Sequence, residues 1–169
     1  MARLKKIEIE IKRVLESLAE GARKRWRDEK KWPPNKEITI QIKDSLRDLG
    51  KQKGYLICGH ERENPEWLFD VVWLKYNKAN ELINSILVVE SELNENDIEI
   101  DWDFQKLLLA RAEHRVMIFQ KKSMDDIHLK MDNFEEQIRK FNGTRSGDRY
   151  LFAGLDWNQG EFEFRPFIP

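Results

Sequence analysis

Three acidic residues stand within or beside apolar segments of the sequence. Asp70 lies between Phe69 and Val71, and Glu90 and Glu92 lie at the end of a long apolar run. Side chains of a β-strand alternate between the two faces of a sheet, so Glu90 and Glu92 are expected to share one face. If the strand that carries Asp70 pairs with theirs, the three carboxylates converge at one place.

Converging carboxylates are suited to binding a metal ion. Burying ionised carboxylates together is unfavourable by several kcal/mol unless a cation neutralises them. Mg²⁺ takes one or two carboxylates together with phosphate oxygens and water. A site for a divalent cation at these carboxylates is therefore one interpretation of the sequence. In the alternative interpretation, Glu90 and Glu92 face solvent on an edge strand and Asp70 pairs with a lysine. A further alternative is that the strands pair differently and the acids never meet.

The elements that must position these acids alternate between helices and strands. Apolar residues recur at three- and four-residue steps in two N-terminal segments separated by Pro33-Pro34. After Gly54, β-branched and aromatic runs between polar breaks are typical of strands. The predicted helices cover residues 2–30, 36–50, 101–114 and 123–142. The predicted strands cover residues 55–60, 66–76, 82–93, 115–120, 150–157 and 162–167.

These elements predict an α/β (α+β) fold with a mixed sheet. Polar breaks between the first three strands indicate an antiparallel arrangement, and segment 115–120 is expected to be an interior strand. The last two strands are expected to form a C-terminal hairpin around Asn158-Gln159-Gly160. Residues 1–32 are predicted to be a helical arm that stands apart from a domain at 33–169, with Trp32-Pro33-Pro34 as the hinge.

Residues 36–120 resemble the PD-(D/E)xK phosphodiesterase superfamily, the fold of many restriction endonucleases and DNA-repair nucleases. That restriction-endonuclease-like family has an αβββαβ core, and the predicted elements follow the same order. Asp70 matches the first acid of the family, in the second core strand, and Glu90-Ser91-Glu92 matches the (D/E)xK signature in the third. The acid of the first core helix falls on Glu37. The surrounding residues also look like a set of uncharacterised bacterial and phage proteins placed near the superfamily.

One position departs from the family pattern, because Glu92 stands where the family usually has lysine. Some restriction enzymes of this fold carry Glu-x-Glu and remain active. Lys106, on the following helix, is the candidate replacement cation, and its alternative role is to pair with Asp103 one turn earlier. The departure also leaves open a catalytically inactive member that serves as an interaction module.

The resemblance implies metal-assisted phosphodiester hydrolysis. Asp70, Glu90 and Glu37 are then the metal ligands, and Mg²⁺ or Mn²⁺ is the cofactor. Glu92 is expected to orient or deprotonate the attacking water, and Lys106 to add positive charge.

Basic residues are concentrated towards the N-terminus. Residues 1–53 carry 16 Lys and Arg against 9 Asp and Glu, whereas residues 54–120 carry 6 against 13. A basic segment interleaved with tryptophan predicts phosphate contacts and base stacking; its alternative is a solvated helix end whose tryptophans dock on the domain. The residues of this basic segment are Arg23, Lys24, Arg25, Trp26, Arg27, Lys30 and Lys31. Arg145 and Arg149, in a second basic turn, could add phosphate contacts or belong to a plain loop.

Composition restricts the class of protein. The 169 residues carry a net charge of -1 and are enough for one domain with a full core. No apolar run approaches the roughly 20 residues of a membrane span, and no signal-peptide core is present, so we expect a cytoplasmic protein without a membrane partner. A single cysteine excludes an internal disulfide and a thiolate zinc cage. DNA is the expected partner, RNA is not excluded, and the stripe from Leu4 to Leu18 offers a homodimer seam.

Overall fold

A computed structural model describes residues 2–58 and 68–169. Within these residues the chain forms four helices and six strands, in the order that the sequence predicts. The helices are α1 (Lys6–Glu29), α2 (Asn35–Gln52), α3 (Asp97–Leu109) and α4 (Met124–Lys140). The strands are β1 (Leu56–Cys58), β2 (Val71–Tyr76), β3 (Leu82–Glu92), β4 (His114–Lys121), β5 (Tyr150–Asp156) and β6 (Glu161–Phe167). The end of the first predicted strand, at residues 59–60, and the start of the second, at residues 66–67, lie outside the described residues.

The strands form one mixed sheet in the order β1-β2-β3-β4-β5-β6. The first three are antiparallel to one another, as predicted. β3, β4 and β5 run parallel, because α3 and α4 carry the chain back between them, and β6 closes the sheet antiparallel to β5. Every residue of β4 is buried, which confirms the predicted interior strand. The fold is therefore a mixed α/β domain.

Both ends of helix α3 differ from the prediction by several residues. Helix α3 begins at Asp97, four residues early, because the side chain of Asn96 accepts a hydrogen bond from the Ile98 backbone N–H and caps the helix. It ends at Leu109, so His114 is the first residue of β4 and not the end of a helix.

Each face of the sheet packs against a pair of helices. Helices α1 and α2 cover one face, where Ile11, Ile42 and Trp73 are among the buried residues. Helices α3 and α4 cover the other face, where Phe104 and Phe134 stack with ring centroids 4.0 Å apart. The two apolar layers fix the height of each helix over the sheet, and so determine which polar side chains of α2 and α3 reach the strands.

The N-terminal helix is part of this core. Ile11 and Leu15 on α1 are fully buried in the same apolar layer as α2, and Leu4 and Leu18 pack against it. This corrects the prediction of an arm that stands apart, because the apolar stripe of α1 covers the sheet of its own chain. The apolar stripe from Leu4 to Leu18, expected as a homodimer seam, therefore packs within its own chain.

A membrane-spanning helix is not found in residues 2–58 and 68–169, since none of their helices combines the necessary length and apolarity.

Candidate active site

Asp70 reaches the neighbouring strand β3 from a position directly before β2. It is not in mid-strand as predicted, since β2 begins at Val71. Val71 pairs with Val89, so the next position outward lies beside Glu90 and Ser91. Asp70 Oδ2 accepts a 2.8 Å hydrogen bond from the Ser91 backbone N–H. The predicted convergence of Asp70 with the acidic end of β3 is therefore present.

Glu90 is a buried acid on the face of the sheet that α3 covers. Only 1% of its surface is exposed. Val88, two residues earlier and therefore on the same face of β3, belongs to the apolar layer that α3 and α4 cover. Its Oε1 lies 2.9 Å from Lys106 Nζ, but it has no hydrogen bond of acceptable geometry among the described residues. Burial raises the pKa of Glu90 to about 8; Lys106 opposes this change, and Asp70 adds to it.

Glu92 lies two residues farther along the same face and is partly exposed. Its Oε1 accepts a 2.5 Å hydrogen bond from the Asn94 backbone N–H where the chain leaves β3. Partial burial raises the pKa of Glu92, the Asn94 N–H opposes this, and repulsion from Asp103 adds to the rise. A carboxylate with a raised pKa accepts a proton more readily at neutral pH than an ordinary glutamate.

Lys106 pairs with Asp103, its alternative partner, and also with Glu90. Its ammonium group lies 2.9 Å from Glu90 Oε1 and 2.8 Å from Asp103 Oδ1, and the side chain is 43% exposed. Burial alone would lower the pKa of Lys106, but the adjacent carboxylates of Asp103 and Glu90 outweigh it and raise the pKa above its ordinary value. Lys106 therefore stays cationic at the surface of the site.

Lys43 is a second cation at the site, and sequence reasoning missed it. It projects from α2 on the opposite side of the sheet, and its Nζ lies 2.9 Å from Asp70 Oδ1. Its place among other charged residues of α2 resembles an ordinary solvated position. Only the height at which α2 packs on the sheet brings it to Asp70.

Carboxyl groups outnumber ammonium groups among the described side chains at this place. We define the carboxylate cluster as Asp70, Glu90, Glu92 and Asp103. Lys43 pairs with Asp70, and Lys106 pairs with Glu90 and Asp103. Four carboxylates in their ionised form exceed two ammonium groups by two charges, which a divalent cation would balance.

Carboxylates are hard oxygen donors, which Mg²⁺ and Mn²⁺ prefer as ligands. The buried Glu90 Oε1 also lacks a well-formed hydrogen bond, so it is able to bind a cation. In residues 2–58 and 68–169 no three Asp, Glu, His or Cys side chains stand in a metal-binding arrangement. The fit is therefore to two carboxylate ligands completed by water and substrate oxygens, as is common for Mg²⁺.

Glu37, the third predicted metal ligand, has other contacts. It lies in the first turn of α2, and its Oε1 is 2.7 Å from Arg25 Nη1. The side chain of Gln41 also donates to it, at 3.3 Å. The structure thus ties Glu37 to the end of α1, whereas the α2 side chain beside Asp70 is Lys43.

The basic segment lies at the same end of the sheet as Glu92. Arg23 donates a 2.7 Å hydrogen bond to the Gly160 carbonyl in the β5–β6 turn. Asn35, at the start of α2, donates one of 2.5 Å to the Leu93 carbonyl, one residue after Glu92. These contacts place the end of α1 and the start of α2 beside the carboxyl ends of β3 and β5.

Only part of the basic segment faces solvent without a carboxylate partner. Arg23 and Arg27 bind Glu20, and Arg25 binds Glu29 and Glu37. Trp26 is 50% exposed, which suits a stacking surface. Within this basic segment, the exposed cations that make no ion pair with the described part of the chain are Lys24, Lys30 and Lys31.

The two arginines of the second basic turn have different surroundings. Arg145 is exposed. Arg149 is 4% exposed, and its guanidinium binds the carboxylate of Glu8 on α1 with N–O distances of 2.5 and 2.7 Å. A buried guanidinium held by an acid 141 residues away anchors α1 to the sheet and does not present a surface for phosphate.

Comparison with protein-family models, with curated proteins and with solved structures finds no match to this chain.

Proposed function

We propose that this protein is a metal-dependent phosphodiesterase that cleaves DNA on a restriction-endonuclease-like core. The observation that carries the proposal is the meeting of Asp70 and the buried Glu90 beside Lys106, where carboxylates outnumber ammonium groups. Buried like charges are unfavourable for folding, and their presence together is typical of a catalytic site.

The arrangement of elements supports the same fold. Helix α2, the antiparallel strands β1, β2 and β3, helix α3 and strand β4 follow one another in the αβββαβ order of that superfamily. Asp70 at the start of the second core strand and Glu90 on the third occupy the positions that the resemblance assigns to the acids. The positions of the acids relative to the strands therefore agree with the fold.

Each side chain of the site has a chemical role in this proposal. Asp70 and Glu90 hold Mg²⁺ or Mn²⁺, which when bound supplies Lewis acidity to phosphodiester hydrolysis. Glu92, with its raised pKa, orients the attacking water and accepts its proton. Lys106 stays cationic and stabilises the negative charge that develops on the phosphate oxygens.

The basic segment provides a path for the DNA backbone to this end of the sheet. Lys24, Lys30 and Lys31 would contact phosphates, and the half-exposed Trp26 would stack on a base of a splayed or single strand. Arg145 is an additional phosphate contact in this proposal, and the buried Arg149 is not.

A second function is favoured by the two lysines. Because Lys43 lies on Asp70 and Lys106 lies on Glu90, ammonium groups occupy the places where a metal ion would bind. In this alternative the protein is a catalytically inactive member of the fold and serves as an interaction module for protein or nucleic acid.

Thermal melting with and without Mn²⁺ separates the two functions. We expect millimolar Mn²⁺ to raise the Tm of the wild type, because binding to the folded state alone stabilises it. Asp70→Asn and Glu90→Gln should each abolish the rise. Glu136→Gln, at an exposed position on α4, is the matched control and should keep it.

Cleavage assays then test the reaction. We expect the wild type with Mg²⁺ or Mn²⁺ to cut plasmid or single-stranded DNA, and Glu90→Gln and Lys106→Met to lose at least a factor of about 100 in rate. RNA of the same sequence tests the preference for DNA. Absence of a Tm rise in the wild type, together with absence of cleavage, would rule out the catalytic function and favour the interaction module.

A further inference from the structure

A polar cavity, which we call the arginine cavity, lies where α3 leads into β4 and α4 leads into β5. Its volume is about 500 Å³. It includes Arg111, Arg115 and Arg145 in its wall, together with two acids, Glu113 and Asp148. It shares no residue with the carboxylate cluster, and the proposed phosphodiesterase activity does not use it.

Arg115 is the buried cation of this cavity. The residue is 5% exposed, and its Nε and Nη2 donate hydrogen bonds of 3.0 and 2.8 Å to the Ala110 carbonyl at the end of α3. Nη2 also lies 3.1 Å from Asp148 Oδ1. Its Nη1 makes no hydrogen bond within the described residues. A guanidinium N–H without an acceptor is unfavourable when buried, and a small shift of the Arg115 side chain would let an oxyanion in the cavity supply one.

The other charges of the cavity leave it positive. Arg111 and Arg145 are exposed, and the described part of the chain offers their guanidinium groups no ion pair. Of the acids, Asp148 accepts from Arg115 and from the Arg145 backbone N–H, and Glu113 accepts a hydrogen bond from the neutral side-chain amide of Asn84. Three guanidinium groups against two carboxylates leave the wall with a net charge of +1. The two exposed guanidinium groups suit a phosphate, which guanidinium groups bind through paired hydrogen bonds.

An apolar surface borders the arginines. Leu108, Leu109 and Phe141, which we call the apolar shelf, line the arginine cavity and also an adjoining cavity of about 400 Å³. Leu109 is 75% exposed, the largest exposure among the apolar residues of α3. Cavities of this size, with apolar walls and a few convergent polar groups, are typical of small-ligand sites.

We propose that the arginine cavity and the apolar shelf bind a nucleoside phosphate, with the phosphate at Arg111, Arg115 and Arg145 and the base on Leu109 and Phe141. The phosphate and the flat, largely apolar base match the two adjoining surfaces. A free mononucleotide and the 5′-phosphorylated end of an oligonucleotide share this chemistry. The inference rests on the cavity and stands apart from the proposed cleavage of DNA.

Isothermal titration calorimetry in EDTA tests the proposal without any contribution of a metal site. The probes are adenosine 5′-monophosphate, adenosine, inorganic phosphate and a 5′-phosphorylated trinucleotide with its unphosphorylated counterpart. The variants are Arg111→Gln, Arg145→Gln and Leu109→Ser, which change exposed side chains and spare the buried Arg115. Arg13→Gln, at an exposed arginine of α1, is the matched control.

We expect adenosine 5′-monophosphate to bind the wild type, and each arginine variant to weaken binding about tenfold. Leu109→Ser should weaken the nucleotide and leave inorganic phosphate unchanged, and Arg13→Gln should change neither. Binding of the phosphorylated trinucleotide alone, with the same dependence on arginine, would support the proposal and identify a strand end as the source.

Three results would overturn the proposal. The first is that neither phosphorylated probe binds at millimolar concentration. The second is binding that Arg111→Gln and Arg145→Gln leave intact. The third is inorganic phosphate that binds as tightly as the nucleotide, because the apolar shelf then contributes nothing.

Discussion

Two glutamates of this protein are equally buried and have opposite electrostatic surroundings. Glu8 on α1 is 0% exposed and Glu90 on β3 is 1% exposed. Burial alone would raise the pKa of Glu8, but hydrogen bonds from His114, Arg149 and the Lys5 backbone N–H outweigh it and lower the pKa to about 2. For Glu90, burial prevails over Lys106 and raises the pKa to about 8.

The difference shows how the same burial can serve structure or chemistry. The carboxylate of Glu8 accepts hydrogen bonds at both oxygens, with Arg149 Nε and Nη2 at 2.5 and 2.7 Å and His114 Nδ1 at 3.0 Å. Its charge is compensated, so the group stabilises the attachment of α1. The charge of Glu90 is incompletely compensated and lies beside further carboxylates, which is unfavourable for folding and suitable for binding a cation.

The largest loss of stability is expected from removing the charge of Glu8, whose carboxylate is compensated by Arg149. Glu8→Gln keeps the shape of the side chain and leaves the buried Arg149 without its counter-charge, so we expect the free energy of unfolding to fall by about 3 kcal/mol. Urea unfolding at pH 7 measures this loss. A loss below about 1 kcal/mol, the range of a surface ion pair, would contradict the comparison.

A pH series and a double variant are the controls for Glu8. A depressed pKa gives stability that is present above the ordinary value of 4.5 and is lost as the pH falls towards 2. Glu8→Gln should therefore remove part of the acid destabilisation of the wild type between these values. Combining Glu8→Gln with Arg149→Gln should destabilise by less than the sum of the two single changes, since one interaction is removed by both.

The opposite dependence of stability on pH is expected for Glu90, the second buried acid. The raised pKa of Glu90 gives stability that is present below 4.5 and is lost as the pH rises through about 8. Glu90→Gln carries no charge, so we expect it to be more stable than the wild type at pH 8 by about 2 kcal/mol, with the gain shrinking towards pH 5. Urea unfolding at both pH values, in EDTA, measures the difference.

An equal loss of stability at pH 5 and pH 8 would contradict this prediction, because it would show that Glu90 contributes packing and not charge. Asp132→Asn is a suitable control, since Asp132 is an exposed acid on α4 that pairs with Arg165 on β6 and lies outside the carboxylate cluster. Its substitution should not make stability increase with pH.

The order of the elements could be predicted from the sequence because the signals are local. Apolar residues at helical spacing mark α1 and α2, and β-branched runs between polar breaks mark β2 and β3. The alternation that places Glu90 and Glu92 on one face follows from strand geometry alone. The meeting of Asp70 with β3 follows from antiparallel pairing of neighbouring strands.

The contacts that complete the site depend on tertiary packing and gave no local signal. Lys43 reaches Asp70 only because the apolar face of α2 sets that helix at one height on the sheet. Arg149 sits in a polar turn that resembles an exposed loop, yet its partner Glu8 lies at the other end of the chain. The arginine cavity likewise requires two loops, after α3 and after α4, to be brought together.

A smaller effect is expected from removing the cation next to Glu90. Lys106→Met takes away the nearest positive charge, so the pKa of Glu90 should rise further and the protein should lose about 1 kcal/mol at pH 8. Lys106 is 43% exposed, and solvent therefore screens the interaction. Adding Glu90→Gln to Lys106→Met should restore the lost stability, and the unfolding of the single and double variants measures this restoration. If the double variant is no more stable than Lys106→Met, the ammonium group does not act through Glu90.

The smallest effect is expected at an acid that has a cationic partner but no burial. Glu136 on α4 lies 2.6 Å from Lys140 Nζ one turn later, and hydrogen bonding to Lys140 lowers the pKa of Glu136. Both side chains are largely exposed, so water replaces the interaction when the pair is broken. We expect Glu136→Gln to leave the Tm unchanged within error at pH 5 and at pH 8. A change as large as that of Glu8→Gln would mean that ion pairing, and not burial, sets the difference between Glu8 and Glu90.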